Sequence, residues 1–420
     1  MPQWPRIWTK LFFASLIYYI LLMPWQMKWL PITLGIMTAG LFWLLETKFR
    51  AKFKRLAGNK YAALLFASYL LVVLGSFYSE DTRQASKEMF SKIPILVWPL
   101  MLGSLLPFGR LEMDRLFKIF IYSVSTLVLA SFLFAIYRYF TNDDAQVFYF
   151  TGFLSLSKVP PHYMGMYVTF AYALVLYRLV SGNAIFKKPS LNIALLVLLA
   201  LAIVFIWVRM QYLLFIFVNA YILVQYVKAK RGRKQAIASL LGLVILFGSL
   251  LVIVPGSRSR LIDTYHELRS FEQMIENKQT NPRKFLWVEG VKVIKENFWT
   301  GVGTGAENAA LNDKIEKVDA IFWDGSQTYQ LYEMRFNYHN SFLQIFAANG
   351  VFAFLIFIAL LLWPFFDLKG HPYRTEVRLF LWITILSFFT ESMLQRQAGV
   401  LFFAFFYTLL IVQQVRPKEA

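Results

Sequence analysis

The sequence predicts an all-α integral membrane protein with about twelve transmembrane helices and one large loop before the last three. Three observations carry this. Apolar runs of about seventeen residues or more recur along the whole chain, each long enough to cross roughly 30 Å of hydrocarbon as a helix. Only 16% of the residues are charged and 58% are hydrophobic, whereas a soluble domain carries about 25% charged residues. The basic residues also crowd into alternate short loops, as the positive-inside bias requires.

In chain order the spans are expected near 11–27, 29–46, 61–78, 91–107, 117–137, 162–180, 190–207, 210–227, 236–254, 341–366, 376–393 and 399–414. Residues 1–254 then hold the first nine spans, 255–340 form a loop domain with short helices, and 341–420 hold the last three spans and a tail. Lys48, Arg50, Lys52, Lys54, Arg55 and Lys60 fill one short loop, and Lys228, Lys230, Arg231, Arg233 and Lys234 another. With both termini in the cytoplasm, about 23 basic residues face inward and about 8 outward. Arg6 and Lys10 precede an apolar stretch as in a signal peptide. Met23-Pro24-Trp25 follows where a small-x-small cleavage site would be, so this stretch reads as an uncleaved first helix. In the large loop, Pro255-Gly256 ends the ninth span, Ser270–Lys278 and Arg283–Asn297 have helical periodicity, and Gly301 to Gly305 is a turn.

Composition excludes several chemistries. There is no cysteine, which removes disulfides, thiol catalysis and Cys-ligated metals. No HExxH, histidine cluster or paired-carboxylate motif at ligand spacing suggests a metal. The formal charge of +19 is largely topological, so nucleic acid is not an expected partner. Gly301, Gly303 and Gly305 lack the preceding strand and helix-capping spacing of a phosphate loop.

Some polar residues need a reason. Arg209 lies between two apolar runs with no acid within a helical turn. It is either a cation snorkelling to the interface or a ligand for an anionic headgroup, which a guanidinium grips with two hydrogen bonds. His339, one of four histidines, falls at the outer mouth of the tenth span. It is either an interfacial residue bonded to a carbonyl or a general base, for which its unperturbed pKa of about 6.5 is suited. Arg258, Arg260, Arg283 and Lys284 lie on the outer side, where the positive-inside rule gives them no role. Arg138 and Arg396 are similar candidates, with Glu391 and Asp263 as possible partners for these arginines.

Taken in order, three segments resemble the O-antigen ligase and polymerase superfamily (Wzy_C). They are Trp207-Val208-Arg209, then Arg283-Lys284-Phe285-Leu286-Trp287 through Gly301-Val302-Gly303-Thr304-Gly305, and then His339-Asn340-Ser341-Phe342-Leu343 with Asn349-Gly350-Val351. Thr390-Glu391-Ser392 is similar to a further family pattern. Val208 and Met210-Gln211 depart from the small residues common around the family's arginine, which bears on how closely the helices approach there.

The resemblance implies a metal-independent, cofactor-free glycosyltransferase of the GT-C type in the bacterial inner membrane, acting at the periplasmic face. The donor would be a glycan on undecaprenyl pyrophosphate. The acceptor would be lipid A-core for a ligase or another carrier-linked unit for a polymerase, with ligase favoured. His339 and Arg209 would be catalytic. Arg283, Arg260, Arg258, Arg138 and Arg396 would bind pyrophosphate or acceptor, and Asn340 would orient the histidine or the acceptor. A flippase for lipid-linked oligosaccharides is the alternative of another class. Transporters show repeated halves or broken helices, and neither is expected from this sequence.

Overall fold

The computed structural model describes residues 6–26, 29–46, 48–228, 242, 245, 247–249, 251–254, 256–259, 262, 265, 282–318, 321–323, 328–368 and 370–414. Among them every regular element is helical except one hairpin, β1 (Ile321–Trp323) antiparallel to β2 (Thr328–Gln330). Five described helices are long and apolar enough to cross a membrane, at 110–142, 161–180, 189–206, 209–227 and 341–367, and three shorter apolar helices lie at 7–22, 60–76 and 397–412. The protein is therefore an all-α, multi-pass membrane protein. Of the ninth expected span, residues 242, 245, 247–249 and 251–253 are described and helical. The expected helix at Ser270–Lys278 lies outside the described residues.

The chain forms two compact units, Met1–Phe49 with Phe108–Ile262, and Arg50–Pro107 with Asp263–Ala420. The first holds α1 (Arg6–Leu22), α2 (Trp29–Leu45), α7 (Arg110–Asn142), α8 (Phe150–Phe153), α9 (Pro161–Val180), α10 (Pro189–Ile206) and α11 (Arg209–Lys228). α9 is its axis, packing against α7, α10 and α11. Every residue from Tyr163 to Val175 is buried, which is why the helix is apolar on all sides rather than along one stripe. Two polar pairs tie α9 to α11. Thr169 donates to Gln211 at 2.7 Å, and Tyr172 to Asn219 at 3.0 Å. In a lipid-facing bundle such hydrogen bonds fix which helix faces which.

The second unit holds α3 (Phe49–Ala57), α4 (Lys60–Ser76), α5 (Thr82–Lys92), α6 (Pro94–Gly103), α12 (Pro282–Glu296), α13 (Glu307–Val318), α14 (Ser341–Asp367), α15 (Arg374–Thr390) and α16 (Gln397–Tyr407), the last running on as a π turn to Val412. α12 is the helix expected at 283–297. Its Leu286, Val293 and Ile294 pack with Leu311 and Ile315 of α13 and with Tyr338. The fourth expected span, 91–107, is corrected. α6 has ten residues, about 15 Å of helix and half a hydrocarbon core. Pro94 starts it fresh after the polar α5, and Gly103 ends it.

The tenth span is also corrected, because it is a broken helix. Gly350, at φ 72° and ψ −172°, occupies backbone space that is essentially reserved for glycine. The break frees backbone groups that an apolar interior cannot leave unpaired. Residues 298–303 run alongside and take them up. Val302 N–H donates to Ala347 O at 2.9 Å, Gly303 N–H to Ala348 O at 3.0 Å, and Val351 N–H to Phe298 O at 3.0 Å. Thr304 then caps α4, its Oγ donating to Val72 O at 2.7 Å and its N–H to Gly75 O at 3.1 Å. Asn349 Nδ2 completes the junction on Thr304 Oγ at 2.8 Å. The three-glycine turn is thus a packing device. A Cβ at Gly303 would stand 2.7 Å from Ser79 Cα, and one at Gly301 2.5 Å from the Ala348 carbonyl carbon.

A Cβ at Gly350 would lie 2.2 Å from Trp299 O, whereas at Gly370, also at positive φ, it would meet nothing within 4 Å. Gly350→Ala is expected to destabilise the second unit by about 3 kcal/mol or more, strain and clash together. Gly370→Ala is expected to cost about 1 kcal/mol from φ alone. Thermal unfolding of the detergent-purified protein checks this, and equal shifts for the two variants would contradict it.

Candidate active site

In the first unit three segments meet at the end of α10. Trp207 ends the helix in the left-handed region at φ 65°, and its indole N–H donates to Gly256 O. The Tyr149 and Trp207 rings lie 5.6 Å apart. Ser257 Oγ stands 3.2 Å from Tyr212 Oη and donates to Val204 O at 3.4 Å. Three of the expected arginines are on these chain segments or next to them. Arg209 is the first residue of α11, Arg258 directly follows Ser257, and Arg138 donates to Gly152 O at 3.3 Å. Arg260 lies outside the described residues. The departure at Gln211 is compensated on the facing helix. Gly165 of α9 lies against the Gln211 side chain, where a Cβ would stand 2.6 Å from its Cγ. The small residue needed for close approach sits on α9 instead of α11.

In the second unit the centre is His339. Its Nδ1 lies 3.0 Å from Glu391 Oε2, a residue buried to 5% exposure. The carboxylate is acceptor-only, so Nδ1 carries the proton and Nε2 presents a lone pair. Nε2 meets no hydrogen-bond partner among the described residues. Glu391 falls in the break between α15 and α16, and that break is stitched to the histidine loop. Ser341 Oγ donates to Glu391 O at 2.8 Å, Met393 N–H to Ser341 Oγ at 2.9 Å, and Asn337 Nδ2 to Gln395 Oε1 at 2.7 Å. His339 itself is at φ 43°, an uncommon conformation for a side-chain-bearing residue.

Asn340, expected to orient the histidine or the acceptor, is engaged at the start of α14. Its Oδ1 caps α14, accepting from Phe342 N–H at 2.9 Å and Leu343 N–H at 3.1 Å, and its Nδ2 donates to Phe389 O at 3.1 Å. Glu391 orients the imidazole. The sequence offers arginines as its partners, and the 52-position separation from His339 leaves no local sign of this pairing. Trp287 donates to Tyr338 O at 2.9 Å, which anchors the residue preceding the histidine. Arg283 stands one turn earlier on the same face of α12, and Arg396 is exposed at the end of the Glu391 segment.

Sequence reasoning missed a second cluster. Glu307, 2% exposed, begins α13. It accepts from Gly305 N–H at 2.8 Å and from Gln344 Nε2 at 3.0 Å. Lys92 pairs with Glu88 at 2.8 Å, and with Glu307, Gln344, Ser341, Asn349 and Gln395 it lines a cavity of about 60 Å³. The i,i+4 spacing of Glu88 and Lys92 was a readable signal, but nothing in the sequence pointed to Glu307.

Residues 194–358 match the Wzy_C family, described as O-antigen ligase, and this match supports the resemblance to the O-antigen ligase superfamily. Members of that family are membrane enzymes of glycosyltransferase or ligase type. The match includes Arg209, Arg258, Arg283, the glycine turn, His339 and Gly350, and it stops before Glu391. None of the curated proteins compared with the chain matches it.

Burial first, then repulsion from Glu88, pushes the Glu307 carboxyl above its ordinary range, with Lys92 and the Gln344 hydrogen bond pulling it back. Between the ordinary and raised values the folded chain holds more protons than the unfolded one. Stability therefore falls as pH rises through that window. Glu307→Gln cannot ionise, so its thermal midpoint relative to wild type is expected to climb from acid to neutral pH. A difference independent of pH would contradict the raised value.

Proposed function

We propose that the protein transfers a glycan from undecaprenyl pyrophosphate to lipid A-core or a related acceptor at the periplasmic face of the bacterial inner membrane, without a metal ion and with inversion. The observation that carries this reading is the His339–Glu391 pair, with Nε2 left open. An acceptor hydroxyl is a poor nucleophile until its proton has somewhere to go. Here Nε2 takes that proton as the oxygen attacks the anomeric carbon, and Glu391 steadies the resulting imidazolium. The bond from the anomeric carbon to the phosphate oxygen breaks, and the pyrophosphate leaves with the electron pair. One displacement inverts the anomeric centre.

Negative charge accumulates on the leaving group, and fixed cations aimed at it lower the barrier. Arg209, Arg258 and Arg138 of the first unit are assigned to the pyrophosphate on charge grounds, with Arg260 as a fourth. Arg283 and Arg396 of the second unit are assigned to pyrophosphate or acceptor. A polymerase would use the same donor chemistry and differ in acceptor. The broken helix at Gly350 does not favour a transporter, because its free backbone groups are filled by residues 298–303 instead of lining a pathway.

The test uses cells lacking the gene, complemented with wild type or variants, with carrier-linked glycans sized by mass spectrometry. Long carrier-linked chains that remain unattached are expected of a missing ligase, and single repeat units of a missing polymerase. His339→Ala is expected to lower transfer by about 10²- to 10⁴-fold, and Glu391→Gln by less, with the donor KM little changed. Normal attachment in the deletion strain, with no second ligase present, would sink the reading.

A further inference from the structure

His339 sits in the left-handed region at φ 43°. For a residue other than glycine this costs about 1–3 kcal/mol and persists only where the flanks are held. Glu307 holds both flanks. On one side its backbone carbonyl accepts from the Tyr338 hydroxyl at 3.1 Å. On the other side its carboxylate accepts from Gln344, in the first turn of α14, at 3.0 Å. The second carboxylate oxygen takes Gly305 N–H at 2.8 Å, which ties the same residue to the glycine turn. Two donors thus converge on the two oxygens of one side chain. Only a carboxylate meets that demand, because an amide or an acid would turn a donor against one of them. Burying a carboxylate is costly unless a cation offsets it, and Lys92 acts on Glu307 through its charge. The arrangement makes sense if the position of the histidine loop depends on it.

We propose that Glu307 is a positioning residue for His339, fixing Tyr338 and Gln344 on either side of it, with Lys92 as its counter-charge. The role rests on the reading of His339 as the base of a glycosyl transfer. Losing the carboxylate releases the Gln344 flank, which lets His339 leave the left-handed region and lose its contact with Glu391.

The test uses the full-length protein in nanodiscs and reads His339 directly. The rate and pH midpoint of its carbethoxylation by diethyl pyrocarbonate are followed by peptide mass spectrometry, beside thermal midpoint and turnover. Glu391→Gln marks the effect of losing the orienting acid. Glu307→Ala is expected to shift the His339 rate in the same direction, and to lower turnover about 10²-fold, the scale of a catalytic group displaced by about 1 Å, with donor KM little changed. Glu307→Gln, which keeps one acceptor, should fall between. If Glu307→Ala does not fold, Gln344→Leu cuts the same link and is expected to shift the rate likewise. A folded Glu307→Ala or Gln344→Leu protein whose His339 reacts as in wild type overturns the proposal. Absence of transfer by wild type would sink the transferase reading alone, since the reactivity of His339 still decides the positioning.

Discussion

The second unit is organised by one constraint, that backbone groups freed in an apolar interior must find partners. Gly350 breaks α14, and residues 298–303 supply what the helix no longer does. That supply fixes the path of the turn after α12, and the turn delivers Thr304 to the end of α4 and Glu307 to the start of α13. The glycines are there because neighbouring backbone leaves no room for a side chain, and nothing in their geometry asks for a phosphate. The break also separates a short first part of α14, with Asn340 and Gln344 in its opening turns, from the long apolar part. The histidine loop is therefore mounted on a packed junction and not on the end of one long rod.

Charge is distributed in two ways that follow from different physics. Near the end of α10, Arg209 begins α11 and Arg258 follows the Gly256–Ser257 contact. Around His339 each acid is held by a polar partner. Glu391 holds the imidazole, Glu307 accepts from Gln344, and Glu88 pairs with Lys92. Basic residues suit an anionic ligand. Acids with fixed partners suit the precise holding of a side chain.

Much of the helix plan was legible because hydropathy and length report directly on membrane crossing. Helices at 161–180, 189–206 and 209–228 fall within a residue or two of expectation. The failures have specific causes. One glycine in a run of apolar residues does not announce a break, because glycine is common in membrane helices and the partner segment is some fifty residues away. Pro94 starts α6 afresh and Gly103 ends it, yet the hydropathy of its neighbourhood masks both. Within the site, His339 and the arginines stood out as polar residues in apolar surroundings. The His339–Glu391 and Gln344–Glu307 contacts span 52 and 37 positions and leave no local pattern in the sequence. Asn340 shows the converse. It lies next to the histidine in sequence, and its polar atoms serve the helix.

The Gln211 side chain, seated on Gly165, has a mechanical consequence. Where two smooth helices meet, either can slip along the other at little cost. A long side chain lodged over a glycine and bonded to Thr169 one turn further on makes a keyed joint. α9 and α11 then share one axial register, so any motion that displaces the start of α11, where Arg209 stands, carries the buried axis of the unit with it.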